Sequence, residues 1–392
     1  MPIAPVTPAL TSTFHRHRTG ADGAARTLGS AHVAGTGEDE MGLAPAMDGP
    51  RGTVEPVVDR VGLTHLAYGF MASKALFAAL GIDLFSRLAA GERTLPELAA
   101  STGVAAHRLA TLLHALAGVG LVVVDEGRYA NAPAAERHLV RGAPGDLGDY
   151  FRLQVAQQVY PALLHLDAGL AGTGAAFATW SGLLADPGEA RLFTEAQHAG
   201  SLGPARKLAD RLALVGPCSV LDVGGGSGAF SYALCARDPG VRATILDLPA
   251  VVDVAREYRD RAGLTGRVTL LAADAVRDPW PGGQDVVLMS YLLSALGDAE
   301  IDVVLAKANA CLRPGGLLVV HDFVLHDDGP GPAPAALWFL QYVASTPDAV
   351  SFSGATLARR LRGHGLEPRD PEVLIPEITK VILSSPEVPT CR

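Results

Sequence analysis

The stretch Val220-Leu-Asp-Val-Gly-Gly-Gly-Ser-Gly228 decides how this 392-residue chain is interpreted. A short strand-forming segment leads into a run of glycines, and a helical pattern over 229–236 follows directly. Glycines at such a turn let the backbone approach a ligand closely, and the first amides of the helix stay free to bind it. The sequence therefore predicts a ligand-binding turn that includes Gly224, Gly226 and Gly228.

Similar strand-forming segments alternate with helical stretches after this turn. The segments cover 220–223, 243–246, 268–271, 285–289 and 317–320. Strands that alternate with helices form a parallel sheet with helices on both faces. The sequence predicts an α/β fold with a Rossmann-like, doubly wound domain over 212–388.

Two acidic residues near the turn indicate the kind of ligand. The turn departs from the dinucleotide pattern G-x-G-x-x-G, because Ala229 stands at the third glycine position. Asp247 ends the next strand, where a carboxylate can accept hydrogen bonds from both ribose hydroxyls of NAD or of S-adenosylmethionine. Asp222 precedes the turn, where it would repel a pyrophosphate but can hold the amino group of a methionine moiety. We therefore expect S-adenosylmethionine.

Further residues at the same sheet edge complete the predicted cofactor site. Asp274 and Ala275 follow the third strand, where an acid can accept the adenine amino group. Leu248 lies beside Asp247, and Ser290 follows the fourth strand. Taken alone, an acid such as Asp247 or Asp274 is more often a helix cap or a solvated loop residue. Their positions at successive strand ends, together with the glycine turn, favour the cofactor site.

The first half of the chain has a different pattern. Residues 1–56 lack periodicity and are predicted to form a disordered tail without a secretory signal. Within 57–145, a capping box at Thr94 and Glu97 begins a helix, a second helix covers 106–117, and a hairpin turns at Glu126-Gly127. This order predicts a winged helix, which serves either DNA recognition or dimerisation. Its nearly balanced charges favour dimerisation.

A mainly helical bridge is predicted over 146–211, between the two domains. Turn signals interrupt it at Gly172-Thr-Gly174 and at Asp186-Pro-Gly188. The helix pattern ahead of the second domain includes Gln197 and His198.

Composition excludes several classes of function. Acidic residues outnumber basic ones, 41 to 32, and the net charge of −9 gives no overall attraction to nucleic acid or anionic lipid. No apolar run approaches the roughly 18 residues that span a bilayer. The four cysteines form no Cys-x-x-Cys pair, and no group of residues has metal-ligand spacing. We expect a cytoplasmic protein with no metal, no membrane contact and no nucleic-acid partner.

Three motifs besides the glycine turn carry a family resemblance, over roughly 58–386. They are Leu246-Asp247-Leu-Pro249, Leu312-Arg-Pro-Gly-Gly316 ahead of the fifth strand, and the helical Arg191-Leu-Phe-Thr-Glu-Ala. With them the chain resembles the two-domain, small-molecule O-methyltransferases, which include acetylserotonin and caffeic-acid enzymes and many bacterial antibiotic-tailoring enzymes. The resemblance implies methyl transfer from S-adenosylmethionine. It also implies an intertwined homodimer whose winged-helix part closes the substrate pocket.

The chain departs from this family at the residues that perform the chemistry. Family members that deprotonate a phenol carry His-Asp-Trp after the fourth strand, whereas the matching stretch, Ser290 to Asp298, has Ser294 and Ala295 in place of His and Asp. Asp322 corresponds to a glutamate that orients the base, and a second family glutamate is missing near Val350-Ser351. A position often held by Met beside the methyl group is Gln197.

Three residues remain as possible general bases: His198, His321 and Asp322. A lone histidine is usually a structural residue, and a base is optional because correct placement of the reactants supplies much of the rate. The residues implied to line an aromatic substrate pocket are Phe177, Trp180, Gln197, Trp338, Phe339 and Tyr342. Core packing explains the aromatic ones equally well.

Four functions are compatible with this sequence. The first is O-methylation of a phenolic or polyketide-like hydroxyl. The second is C-methylation of an electron-rich aromatic ring, which the missing histidine makes more credible. The third is a non-methylating relative that retains S-adenosylmethionine. A DNA-binding regulator built on the winged helix is a distant fourth.

Overall fold

The computed structural model describes residues 55–91, 93–173, 180–346 and 348–387. The predicted tail lies outside the described residues up to residue 54, and so does Phe177.

The described N-terminal part is a small helical domain with a three-stranded sheet, ordered β1-β3-β2. Its elements are α1 Arg60–Gly81, α2 Leu84–Ala89, β1 Arg93–Thr94, α3 Leu95–Thr102, α4 Ala106–Gly118, β2 Val122–Asp125, β3 Arg128–Asn131 and α5 Pro133–His138. The predicted helices and hairpin are confirmed. The backbone amide of Thr94 donates to Glu97 Oε2 at 2.9 Å, and Gly127 takes a φ of 76° at the hairpin turn.

The bridge is helical, as predicted. It contains a π-helix Tyr150–Val159, α6 Tyr160–Leu163, α7 Leu166–Leu170, α8 Trp180–Leu183 and the long α9 Pro187–Leu212. The interruption predicted at Asp186-Pro-Gly188 lies between α8 and α9: residues 184–186 form a turn and a bend, and Pro187 begins α9. Asp186 Oδ1 accepts hydrogen bonds from the amides of Gly188, at 2.8 Å, and Glu189, at 3.0 Å, and Pro187 occupies the first turn. Proline and an N-capping acid suit a helix start as well as a turn.

In the described residues of the C-terminal part, eight strands form one sheet with helices on both faces. The strands are β4 Cys218–Val223, β5 Val241–Asp247, β6 Val268–Ala272, β7 Gln284–Ser290, β8 Leu312–Phe323, β9 Leu366–Pro368, β10 Glu372–Ile375 and β11 Thr379–Pro386. The helices are α10 Ala229–Arg237, α11 Pro249–Arg261, a 3-10 turn Leu293–Ala295, α12 Asp298–Cys311, α13 Ala333–Ser345 and α14 Gly354–Gly363. The predicted doubly wound α/β fold is confirmed.

The strand order of the sheet determines where a ligand can bind. The sheet runs β10-β11-β8-β7-β4-β5-β6, with β6, β5, β4, β7 and β8 parallel and β11 antiparallel to β8. The chain winds outward from β4 in both directions, so a crevice opens between the carboxyl ends of β4 and β7. The segment expected ahead of the fifth strand, 312–316, is instead part of β8, because Leu312 already pairs with Gln284 of β7.

Candidate active site

The glycine turn follows β4 at the centre of this crevice. Gly224, Gly226 and Gly228 have φ values of 66°, 56° and 91°, in the left-handed region that side chains disfavour. A Cβ at Gly228 would lie 2.5 Å from Ile245 Cδ1 and from Tyr232 Cζ. The turn therefore requires glycine for its conformation and, at Gly228, for space as well.

Asp222 lies beneath the turn with one carboxylate oxygen unpaired. Its side chain is buried, and Oδ2 accepts a hydrogen bond from Ser231 Oγ at 2.7 Å. Oδ1 has no hydrogen-bond partner among the described residues. Burial raises the pKa of Asp222 to about 6. A buried, unpaired carboxylate oxygen suits a positively charged ligand group.

Asp247 ends β5 and is bonded to the turn itself. Its Oδ2 accepts from the Gly226 amide and its Oδ1 from the Leu248 amide, both at 2.7 Å. Burial raises the pKa of Asp247 to about 6. Asp222 is buried and Asp247 is half-buried. Two acids at neighbouring strand ends complement a cationic ligand, and S-adenosylmethionine carries a sulfonium and an ammonium group. The residues of this crevice therefore fit the expected cofactor.

The pH dependence of cofactor affinity follows from these two acids. Both acquire protons in the free protein as the pH falls through about 6, whereas a bound cation favours their ionised forms. Affinity should therefore rise with pH, by roughly tenfold or more between pH 5 and pH 7. Calorimetric titration across this range checks it, and Asp222→Asn should flatten the slope. A pH-independent affinity would contradict the assignment.

Asp274 and Ala275 lie in a tight turn after β6. Asp274 Oδ1 accepts from the amides of Val276, at 2.9 Å, and Arg277, at 3.2 Å. The Ala275 carbonyl accepts from Trp280 Nε1 at 3.0 Å. The Asp274 side chain thus caps a turn, which was the alternative to cofactor binding for this acid. Its contact with adenine stays a prediction.

The segment after β7 lies against the glycine turn. A Cβ at Gly224 would be 2.9 Å from Leu292 Cδ1, so the two segments are in contact. Tyr291 adopts a φ of 57°, which is strained for a residue with a side chain. Ser294 is buried, and its Oγ donates to the Tyr342 hydroxyl at 3.4 Å. Ser294 therefore occupies the expected place but shows no feature of a base.

His321 lies on β8, between β7 and β11. Its Nδ1 lies 2.8 Å from Ser290 Oγ and its Nε2 lies 2.9 Å from Thr379 Oγ1, so both ring nitrogens have partners. The ring is fully buried beside Tyr291, and burial lowers the pKa of His321 to about 3. A neutral imidazole with no free nitrogen does not accept a substrate proton. This bonding argues against the predicted role of His321 as base. Ser290, predicted at the cofactor site, is hydrogen-bonded to His321 and through it is linked to Thr379.

Asp322 holds the segment after β7 in place. Its Oδ2 accepts from the Ser294 amide at 3.1 Å and its Oδ1 from the Phe323 amide at 2.8 Å. The carboxylate is fully buried, and burial raises its pKa to about 6. Asp322 lies where the family's orienting glutamate was expected, but it orients backbone rather than a histidine.

His198 reaches the glycine turn from α9. Its Nδ1 lies 2.7 Å from Ser227 Oγ, and its ring packs on Tyr258 at a centroid distance of 4.1 Å. Burial lowers the pKa of His198 to about 4, so the ring is neutral near pH 7. His198 supports the turn through Ser227. Nothing in the sequence pattern indicated this pairing.

The predicted aromatic residues do not all share one surface. Trp180 Nε1 donates to the Ala295 carbonyl at 2.7 Å, and its ring packs on Phe193. Trp338 stacks between Phe323, at 5.0 Å, and Tyr150, at 6.4 Å. Sequence reasoning missed Tyr150, because the π-helix that carries it has weak amphipathic periodicity.

Gln197 pairs with a residue that the sequence did not single out. Its Oε1 accepts from Gln154 Nε2 of the π-helix at 2.7 Å.

Within the described ranges, no three His, Cys, Asp or Glu side chains are grouped as metal ligands.

Comparisons with known proteins support the same assignment. An O-methyltransferase domain model matches residues 162–348, and an O-methyltransferase dimerisation domain model matches 64–141. The 3-hydroxy-5-methyl-1-naphthoate 3-O-methyltransferase of Streptomyces sahachiroi is 33% identical over 306 residues, which cover 77% of this chain and 88% of that protein. The chain belongs to the O-methyltransferase family. It is an S-adenosylmethionine-dependent methyltransferase.

Other relatives of this methyltransferase differ in the atom that they methylate. The tetracenomycin polyketide 8-O-methyl transferase of Streptomyces glaucescens is 30% identical over 77% of this chain and 90% of its own length. The L-tyrosine C(3)-methyltransferase of Streptomyces lavendulae is 27% identical over 84% of this chain and 92% of its own length. The family alone thus leaves the choice between oxygen and carbon open.

The solved structures agree with the fold. Human N-acetylserotonin methyltransferase in complex with S-adenosylmethionine superposes with a TM-score of 0.73 and 22% identity, covering 86% of this methyltransferase and all of that chain. In the part of the chain that the structure describes, no helix is long and apolar enough to cross a bilayer.

Proposed function

We propose that this methyltransferase methylates a phenolic hydroxyl on a flat, polyketide-like aromatic molecule and uses no enzyme base. The observation that carries the proposal is the state of the three candidate bases. His321 has both nitrogens bonded, Asp322 is bonded to two backbone amides, and His198 is neutral and bonded to Ser227. Two Streptomyces relatives support it by their names, one a hydroxynaphthoate 3-O-methyltransferase and the other a tetracenomycin polyketide synthesis 8-O-methyl transferase.

The chemistry permits this arrangement. S-adenosylmethionine supplies an electrophilic methyl group on a positive sulfur, and charge is dispersed rather than created during transfer. Placement of an already ionised acceptor at near-attack distance then supplies much of the acceleration. The protein's own residues hold the cofactor with Asp222 and Asp247, and enclose the acceptor with Trp338, Tyr150 and the segment after β7.

A pH–rate profile tests the absence of a base. With hydroxynaphthalenes of different acidity as acceptors, the lower apparent pKa of kcat/KM should move with the ionisation of each acceptor. His198→Gln should leave this pKa in place and should lower the rate by no more than about tenfold, since it removes one neutral hydrogen bond. A constant pKa across all acceptors, lost in His198→Gln, would identify His198 as the base.

C-methylation is the second candidate. The missing family histidine favours it, since an electron-rich carbon is activated by its own neighbouring hydroxyl. Incubation with 13C-methyl S-adenosylmethionine and a hydroxynaphthoate, followed by NMR of the product, separates the two outcomes, because aryl methoxy and aryl methyl carbons have different chemical shifts.

We also propose a cytoplasmic homodimer that assembles through the N-terminal domain. The first half of α1 exposes large apolar side chains, among them Leu66, 72% exposed, and Leu63, 58% exposed. Such a stripe is typical of a protein–protein interface. Sedimentation of the full chain checks the dimer, and Leu66→Glu should weaken it.

The described cysteines Cys218, Cys235 and Cys311 are free thiols. Free thiols suit a reducing compartment such as the cytoplasm.

A further inference from the structure

The π-helix and α9 approach each other closely where α9 meets the cofactor turn. A Cβ at Gly200 of α9 would clash with Gln154 Oε1 and would lie 2.9 Å from Tyr150 Cδ2. π-Helical segments are rare and are frequently found at functional sites. This packing places the side chains of Gln154 and Tyr150 against α9, next to the His198–Ser227 contact.

Gln154 fixes the orientation of the Gln197 amide. Gln154 is 6% exposed, and its Nε2 donates to Gln197 Oε1 at 2.7 Å. Because the Gln197 oxygen is the acceptor of this bond, its Nε2 is left to donate elsewhere. No described residue accepts a hydrogen bond from that nitrogen. The half-buried Gln197 therefore presents unused N–H donors.

These donors lie in a wall that joins the cofactor turn to the segment after β7. The next residue of α9, His198, is bonded to Ser227 of the turn. In the other direction, Tyr150 stacks on Trp338, which stacks on Phe323 beside Asp322. The wall thus combines stacked aromatic rings with two polar contacts, the Gln154–Gln197 amide pair and the His198–Ser227 contact.

A neutral N–H donor distinguishes between the two forms of a phenol. A hydrogen bond to an ionised oxygen is roughly twice as strong as one to a neutral oxygen. An amide donor therefore favours the ionised phenol and cannot remove a proton from the neutral one. This is the property that an enzyme without a base requires in its acceptor site.

We propose that Gln197 determines acceptor specificity: its Nε2 donates a hydrogen bond to an ionised oxygen of the acceptor, and Gln154 is the positioning residue that aims it. The inference rests on the proposed O-methylation. The acceptor class is an acidic phenol, whose hydroxyl proton is lost to solvent before transfer. The phenolate oxygen then forms the O–CH3 bond as the S–C bond breaks, and the electron pair of that bond remains on sulfur.

The test uses 4-nitro-1-naphthol as a probe, because its ionised form has a distinct visible absorbance. The full-length protein, saturated with S-adenosylhomocysteine, is titrated with the probe at several pH values. We expect binding of the naphtholate to weaken about tenfold in Gln197→Met and about 100-fold in Gln197→Glu, which replaces a donor by a negative charge. Gln154→Leu should weaken it to an intermediate extent. In wild type, the pKa of the bound probe should be lowered, and Gln197→Glu should raise it.

The matched control is Gln284→Glu. Gln284 begins β7 at the opposite end of the sheet and donates to the carbonyls of Pro281 and Gly282, so the same change there should leave probe binding unaltered. Calorimetric affinity for the cofactor, unchanged in every variant, shows that each has folded.

Two results would overturn the inference: an unshifted pKa of the probe bound to wild type, or Gln197→Glu and Gln197→Met binding the naphtholate as wild type does. Neither readout depends on turnover. A protein that binds the naphtholate through Gln197 but transfers no methyl group to oxygen would contradict the proposed function alone.

Discussion

Replacing Asp247 by alanine is expected to weaken S-adenosylmethionine binding about 100-fold, because hydrogen bonds to a charged carboxylate contribute about 1.5–3 kcal/mol each. Asp247 lies at the end of β5, where Oδ2 accepts from the Gly226 amide of the glycine turn and Oδ1 accepts from the amide of the next residue, Leu248. Its loss therefore removes the predicted ribose acceptor and also loosens the turn. Isothermal titration of the purified protein measures the change.

A matched control lies on the following helix. Asp253 of α11 is exposed and forms an ion pair with Arg256. Asp253→Ala should leave cofactor affinity within a factor of about two, as expected for an exposed ion pair. Unchanged binding in Asp247→Ala would contradict the cofactor assignment. An equal loss in the control would point to a general effect of charge.

Replacing His321 by alanine is expected to cost about 3 kcal/mol of unfolding free energy, because it opens a cavity and leaves buried polar partners unsatisfied. The imidazole is fully buried and joins Ser290 to Thr379 across neighbouring strands. Protein that remains folded at low temperature should keep the wild-type pH dependence of kcat/KM. Urea unfolding and a pH–rate profile measure the two effects separately.

His107 provides the comparison, since it is exposed on α4. His107→Ala should change stability by no more than about 0.5 kcal/mol. The opposite pattern for His321→Ala, with stability retained and turnover lost at every pH, would make His321 the base after all.

Local signals predicted much of the fold because they act over a few residues. The Thr94–Glu97 capping box and the Glu126-Gly127 hairpin are formed by neighbours in the chain, so composition and spacing specify them. The break in the helical bridge at Asp186 is equally local. Asp186 ends the turn after α8 and caps α9, and a capping acid followed by proline suits both roles.

The site shows the same division between local and distant information. The glycines of the turn were predictable, because their left-handed backbone is a local property. The partners of His198, His321 and Gln197 were not, since Ser227, Thr379 and Gln154 are 29, 58 and 43 positions away in the chain. No periodic pattern relates such pairs, so their hydrogen bonds and pKa values depend on how helices and strands pack.

The sequence by itself therefore determined the α/β fold, the glycine turn and its two acids, and the absence of the family's His-Asp pair at Ser294 and Ala295. Tertiary structure decided what the remaining polar groups do. It placed His321 and Asp322 in the interior, where each forms hydrogen bonds with its neighbours. It also paired Gln154 with Gln197 beside the cofactor turn. The physical reason is that a side chain's proton affinity and free hydrogen-bonding groups are set by its burial and its partners. Both come from segments that meet only in the folded chain.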